Sequence, residues 1–209
     1  YPLVGLALGA MALVPVWLVP DGYFWIKAWA FGVFMAWITR GFHWDGLGDL
    51  ADALGSNRSG AGFQEVLKDS HSGVFAIITV VFCALGYVFA AQSLILREAW
   101  LPLILAPAFA RCVPLFIGNL SQPNPGSSLG KILERAVDLK LALAWVAALT
   151  LAAVFCGYIW ASILALLISA LLLYYLLNLA ERQSGYNGDF VGAGVVLVEL
   201  GTLLAFVVG

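Results

Sequence analysis

Apolar residues fall in blocks near residues 1–20, 23–40, 73–96, 99–119, 139–159, 160–180 and 190–208, separated by short polar stretches. A hydrocarbon layer about 30 Å thick requires roughly 20 residues of helix to cross it. The pattern therefore predicts seven spans, an all-α polytopic membrane helix bundle forming a single domain over residues 1–209. Pro20, Asp21 and Gly22 form the first turn, and Trp17, Trp25, Trp29, Trp100 and Trp160 lie near span ends, as interfacial belts require. The Gly5 and Gly9 pair reads as a close helix contact.

One polar interruption has a pattern of its own. From Arg40 to Gly73 the chain reads RGFHWDGLGDLADALGSNRSGAGFQEVLKDSHSG. Asp45, Asp49 and Asp52 are spaced i, i+4 and i+7, which places them within roughly 60° of one helical face. Leu47, Leu50, Ala51 and Leu54 occupy the opposite side. No basic residue lies between Trp44 and Ser56, so the three carboxylates raise one another's pKa and call for a positive partner. Glu65, Lys68, Asp69 and Ser72 repeat the helical spacing, which predicts a second polar face able to close over the first. Oxygen-only ligands suit a hard divalent cation, magnesium where carboxylates and phosphates share the ion.

Composition sharpens the class. Of 209 residues, 63% are hydrophobic and 11% charged, which is an integral membrane protein rather than a soluble domain. A net charge of −2 carries no nucleic-acid footprint. Cys83, Cys112 and Cys156 lack CxxC or histidine pairing and read as buried structural thiols. The second, fourth and sixth connections share one side, with Arg40, Arg58, Lys68, Lys131, Arg135, Lys140 and Arg182; the other side has Lys27 and Arg97. The positive-inside rule puts the acidic segment at the cytoplasmic face, where nucleotides and magnesium are available. The chain starts at Tyr1 already inside a span, so the numbering is expected to begin within a longer natural chain. The oligomeric state is open, a homo-oligomer included.

Charges inside the spans are expensive and narrow the search. Arg111 lies between Pro107 and Pro114, which predicts a broken or kinked helix whose guanidinium faces the site; the plainer reading is an arginine reaching the headgroups. Asp189 opens the last span and Glu199 follows ten residues later, about 15 Å deeper. Glu199 is either a functional acid or the structural partner of Arg111. His43 falls on the apolar side of its helix if that helix is continuous, so it is either a satisfied structural histidine or a catalytic one. Residues 121–140, SQPNPGSSLGKILERAVDLK, start as a loop and continue from Ser128 as a short interfacial helix. The charges on that helix read as a solvated face.

Carboxylates beside a membrane-facing cavity, with lysine and arginine nearby, fit transfer of a phosphate-linked group: a metal neutralises a diphosphate while a spare carboxylate takes the proton of the attacking hydroxyl. CDP-alcohol phosphotransferases and membrane prenyltransferases use comparable acid spacing, but this chain lacks the AR pair and downstream GxxxDxxxD of the first and the second DxxxD of the other. A transporter using acids as proton or cation sites is a third reading, opposed by the clustering of the acids outside the spans.

Four segments are more specific. HWDGLGDLADAL (43–54) and KDSHSG (68–73) resemble the HxDGLxDxxDGL and KDSRxG segments of the cobalamin synthase family, the adenosylcobinamide-GDP ribazoletransferases. PLVGLALGA near the start and GDFVGAGVVLVE near the end are similar to that family's PLVG(L)xxG and GDxxGAxxxxxxE. Ala53, His71 and Ser72 depart from the family's usual glycine, arginine and aliphatic residue, and a TRxP-like N-terminal stretch is absent. The resemblance implies a magnesium-dependent transferase joining adenosylcobinamide-GDP to α-ribazole or α-ribazole 5′-phosphate within a lipid membrane, with GMP leaving. On that basis Asp45, Asp49 and Asp52 are expected to hold metal. Asp69 and His43 are the catalytic candidates, and Lys68, Ser70, Arg111, Asp189 and Glu199 are expected to contact substrate.

Overall fold

The computed structural model describes residues 1–69 and 71–209. Among them every regular element is helical, apart from one isolated bridge between Pro123 and Tyr186. The helices are α1 (Pro2–Leu18), α2 (Phe24–Ile38), α3 (Phe42–Gly55), α4 (Ala61–Val66), α5 (Val74–Leu96), α6 (Trp100–Ala110), α7 (Val113–Leu120), α8 (Ser128–Ala136), α9 (Leu139–Phe155), α10 (Ile159–Arg182) and α11 (Gly188–Val208). Each of the seven predicted apolar blocks is largely helical. Among the described residues four helical runs are long and apolar enough to cross a membrane: α5, α6 with α7, α10 and α11; a fifth is added if α8 and α9, which meet at 79°, are one bent span. The 17 residues of α1 and 15 of α2 reach only about 25 and 23 Å, short of a typical hydrocarbon layer.

Burial separates inner helices from outer ones. The apolar windows of α6–α7 and α11 are 83% and 72% buried, against 22% for α5 and for α10. Phe82 on α5 and Leu171 on α10 stand 71% and 68% exposed, an apolar exterior of the kind a lipid phase covers. α1 lies directly on α6, where a Cβ at Gly9 would come within 2.7 Å of the Ile104 Cα, so the expected glycine contact is present. The break between α6 and α7 at Arg111 and Cys112 is also as expected. Pro114 has no N–H to give to the Ala110 carbonyl, and the helix restarts with proline in its first turn.

The three connections expected on one side meet at one end of the bundle. Asn124 N donates to the Tyr186 carbonyl (2.8 Å), and Tyr186 N donates to the Gln122 carbonyl (3.1 Å). Gly60 N donates to Gln183 Oε1 (2.9 Å), and Gln64 Nε2 donates to the Gln183 carbonyl (2.7 Å). The helix expected from Ser128 is α8, capped by the Ser127 hydroxyl, with Leu133 buried and Lys131, Glu134 and Arg135 exposed. All three cysteines are free, with Cys112 buried and Cys83 half-buried. Cys156 differs from expectation: it caps the C-terminus of α9 on the outer surface and is exposed.

Candidate functional site

α3 starts immediately after the tight turn at Arg40 and Gly41 and lies across the N-terminal end of α11. Its apolar back is real for Leu47 and Leu50, which are buried; Leu54 is 38% exposed. The approach of α3 to α11 is backbone against backbone. A Cβ at Gly46 would lie 2.9 Å from the Asp189 Cα, and one at Gly192 would lie 3.2 Å from the His43 carbonyl oxygen. A side chain at Gly46 would force the helices apart and one at Gly192 would press on the α3 backbone, and the contact brings Asp189 beside Asp45 and Asp49.

The result is a carboxylate crater. Asp45 is exposed, and Asp49 and Asp189 are half-buried. Asp45 and Asp49, with Gly48, Ser72 and the rim residue Arg40, line a cavity of about 520 Å³. Burial, and after it the charges of Asp189, Asp45 and Asp52, push the Asp49 carboxyl up to about 6. Among the described residues neither Asp45 nor Asp49 has an ion-pair partner. Asp189 is oriented by Asn187, whose Nδ2 donates to Asp189 Oδ2 (2.7 Å) and whose Oδ1 caps α11 by accepting from Asp189 N (3.1 Å) and Phe190 N (3.3 Å). Asn187 is absent from the sequence reading, although an asparagine two residues before an aspartate at the head of an apolar run is a cap signature.

Asp52 does something else. Its Oδ2 accepts from Gly73 N (2.5 Å) and its Oδ1 from Ala76 N (2.9 Å), so the carboxylate caps α5 from across the loop. The acid expected as a third metal ligand spends both oxygens on the free N–H groups of a helix start.

The second polar face does not form as a helix. α4 ends at Val66 because the chain must turn to reach Gly73, where Asp52 holds the head of α5. Lys68 and Asp69, with Arg58 and Glu65, line a separate open hollow of about 500 Å³, while Ser72 faces the crater. Asp69 is exposed and accepts from His71 Nδ1 (2.7 Å) and His71 N (3.0 Å), contacts that hold its carboxyl below the usual range. His71, at the position where arginine is the family's usual residue, thus supplies donors to the neighbouring acid. Ser70 lies outside the described residues.

Arg111 and Glu199 are brought together in the bundle interior. Arg111 Nη1 donates to Glu199 Oε2 and to the Pro107 carbonyl (3.3 Å), and the Tyr87 hydroxyl donates to Glu199 Oε1 (2.7 Å). Both carboxylate oxygens are satisfied, so the structural alternative for Glu199 is the one realised. Tyr87 was not legible as a partner; its only signal is a phenol within an apolar run, whose hydroxyl needs an acceptor when buried. His43 lies on the other side of α3 from the crater, where burial and then the Arg111 charge pull its pKa down to about 4 and leave it neutral.

A second cavity, of about 650 Å³, opens on that side. Its walls come from α1, α2, α7, α8 and α11, with half-buried His43 and buried Arg111 as polar groups and Phe42 shared with the crater.

A divalent ion is consistent with the crater. Among the described residues no three carboxylate, imidazole or thiolate groups close a metal shell unaided. Magnesium seldom needs such a cage, keeping waters and taking one or two carboxylates plus substrate phosphates. Asp45 and Asp49, which line the crater and form no ion pair among the described residues, fit that mode, with Asp189 beside Asp49.

Comparison with known proteins shows the family. The family model described as cobalamin-5-phosphate synthase matches residues 1–207. A protein of Nitratidesulfovibrio vulgaris (strain Miyazaki F) called adenosylcobinamide-GDP ribazoletransferase is 36% identical, over 98% of this chain and 82% of that protein. Another bearing the same name, from Pseudomonas syringae pv. syringae, is 34% identical over 98% of this chain and 84% of its own length. A third, from Laribacter hongkongensis, is 35% identical over 82% of this chain and 69% of its own. No solved structure matches.

Proposed function

The chain belongs to the cobalamin-5-phosphate synthase family, and from that premise we propose how its crater performs the transfer. The protein transfers the cobinamide phosphate of adenosylcobinamide-GDP to α-ribazole or α-ribazole 5′-phosphate. The ribose hydroxyl oxygen bonds to the cobinamide-linked phosphorus, the bond from that phosphorus to the GMP oxygen breaks, and adenosylcobalamin or its 5′-phosphate forms as GMP leaves. The hydroxyl proton passes to a side chain of the site.

The observation that carries this reading is the crowding of Asp45, Asp49 and Asp189, none of them in an ion pair among the described residues, at the end of a bundle whose deeper acid, Glu199, is already paired. The same observation disfavours a transporter, because the one acid deep in a span has no free oxygen for cargo. Asp45 and Asp49, with Asp189 beside them, would hold a magnesium ion, which when bound would neutralise diphosphate charge and polarise the phosphoryl oxygens. Asp52 supports the site by fixing α5 against α3. Asp69, ionised, and His43, neutral, are the proposed proton acceptors; Lys68 and Arg111 meet phosphate oxygens, with Ser70 beside Lys68 in sequence.

We place this end of the bundle at the cytoplasmic face of the inner membrane, since Arg40, Arg58, Lys68, Lys131, Arg135 and Arg182 gather in the connections that meet there. On that reading α1, α2 and α9 complete seven crossings with help from flanking residues, and lipid surrounds the outer helices.

The test is GMP release from adenosylcobinamide-GDP by the purified protein in detergent, with α-ribazole 5′-phosphate as acceptor and either magnesium or a chelator. Acceptor-dependent release that the chelator abolishes is expected. Release that persists in the chelator removes the metal from the proposal. Release from CDP-diacylglycerol or a prenyl diphosphate instead removes the substrate assignment.

A further inference from the structure

We propose that the apolar cavity on the His43 side of α3 is the acceptor subsite, which takes the flat base of the ribazole among its apolar walls and the 5′-phosphate on Arg111. The proposal rests on the transferase reading above. The reaction brings two very different molecules to one phosphorus, and the structure has two very different cavities flanking the first turn of α3. One is the carboxylate crater; the other is walled by Leu8, Ile38, Pro114, Leu133, Val191 and Val195. Phe42 lines both, so they adjoin at the start of the helix that carries Asp45 and Asp49.

Size and polarity assign the occupants. About 650 Å³ lies within the range of small-molecule sites. It suits a nucleoside, whereas a corrinoid carrying a nucleotide is several times bulkier than either cavity and must lie largely outside both. Guanine would bury its amino and carbonyl edges against walls with few partners, each unpaired group carrying a desolvation penalty. A benzimidazole base has no exocyclic donor or acceptor and gives up only the hydration of one ring nitrogen there.

The polar end of the cavity has its own function. Arg111 is held by Glu199 and the Pro107 carbonyl, both through Nη1. Its Nε and Nη2 donors have no acceptor among the described residues, although the side chain is only 8% exposed and lines the cavity. A planar guanidinium with free donors at the end of an apolar slot matches a phosphate attached to a flat apolar base.

Val4 lines the cavity yet is 56% exposed, so Val4→Trp narrows the space without overpacking the core. Steady-state transfer is measured with each substrate varied in turn. The KM for α-ribazole 5′-phosphate is expected to rise about tenfold or more, the size of a lost apolar fit, while that for adenosylcobinamide-GDP stays unchanged. Arg111→Lys, which keeps the charge beside Glu199, is expected to weaken α-ribazole 5′-phosphate more than α-ribazole. Calorimetric titration of α-ribazole into the unsubstituted protein supplies an independent reading, with a negative heat-capacity change expected for apolar burial.

If the unsubstituted protein turns over but Val4→Trp leaves the acceptor KM unmoved, or raises only the KM for adenosylcobinamide-GDP, the cavity assignment is overturned and the transferase reading survives. A phospholipid retained in the cavity by native mass spectrometry, and not displaced by α-ribazole, overturns it as well. Absence of any acceptor-dependent GMP release takes down the transferase reading and this inference with it.

Discussion

Asp189 and Glu199 stand ten residues apart on α11, and the protein treats them in opposite ways. Glu199, buried among the inner helices, has each oxygen answered, one by Arg111 and one by Tyr87. Asp189, at the helix head, is turned by a neutral asparagine toward two more carboxylates and given no cation among the described residues. A charge that the fold neutralises is part of the scaffold, because leaving it unpaired in a low-dielectric interior is costly. Acids kept crowded at a surface await something positive from outside. The difference separates structural from functional acids better than their depth in the membrane does.

The largest effect expected from breaking this comparison is on the scaffold side. Glu199→Gln strands Arg111 and should lower stability by about 3–5 kcal/mol, measured as a lost or strongly lowered thermal transition in detergent. Replacing Arg111 and Glu199 together with apolar residues should recover most of that loss. A single substitution without thermal cost would mean that the pair contributes nothing.

On the functional side the expected pattern reverses. Asp49→Asn should reduce transfer by about 10³-fold, the equivalent of about 4 kcal/mol of lost charge stabilisation on the transferring phosphoryl group. Its melting temperature should hold or rise, because a repelling charge is gone. A variant that melts early and turns over normally would place Asp49 in the scaffold instead.

Asp52 tests the boundary between the two classes. As a cap on α5, Asp52→Ala should cost about 1 kcal/mol of stability, with catalysis reduced far less than by Asp49→Asn. Asn at this position should restore only part of the loss, because its one amide oxygen replaces one of the two acceptors. A magnesium affinity that falls as steeply as in Asp49→Asn would return Asp52 to the metal shell.

The smallest effect is on pH dependence. Asp49 is raised from 3.8 to about 6 in the folded protein. Below pH 3.8 the carboxyl is protonated whether the chain is folded or not. Between that value and about 6 the unfolded chain has released its proton while the folded one retains it, so stability falls across this window as pH rises and is level above it. Saturating magnesium should flatten the fall, and Asp49→Asn should remove it. Thermal melts at stepped pH, with and without the ion, measure both.

Much of the fold is legible from apolar block length alone, since a helix satisfies its own backbone and lipid accepts any apolar exterior. The break at Arg111, the helix from Ser128 and the gathering of three connections follow from prolines, a serine cap and charge bias. The periodicity of Asp45, Asp49 and Asp52 correctly places them on one side of α3, but periodicity does not say what each acid meets. Asp52 finds the head of α5, 21 residues away in the chain, and Asp189 arrives beside Asp49 from the opposite end of the protein. Glu65, Lys68 and Asp69 mislead because helical spacing persists on paper past the point where α4 must stop.

By itself, the sequence determined the membrane class, the helical architecture, the family and the clustering of Asp45, Asp49 and Asp52 on one helix, because these follow from local composition, spacing and motif order. Only the tertiary structure decided which acids are neutralised and which are left open. That depends on Gly46 and Gly192 letting α3 and α11 touch, on Tyr87 and Arg111 converging on one carboxylate, and on two cavities forming on either side of one helix turn. Electrostatic and steric complementarity act between residues distant in the chain, and no local pattern encodes their distance in space.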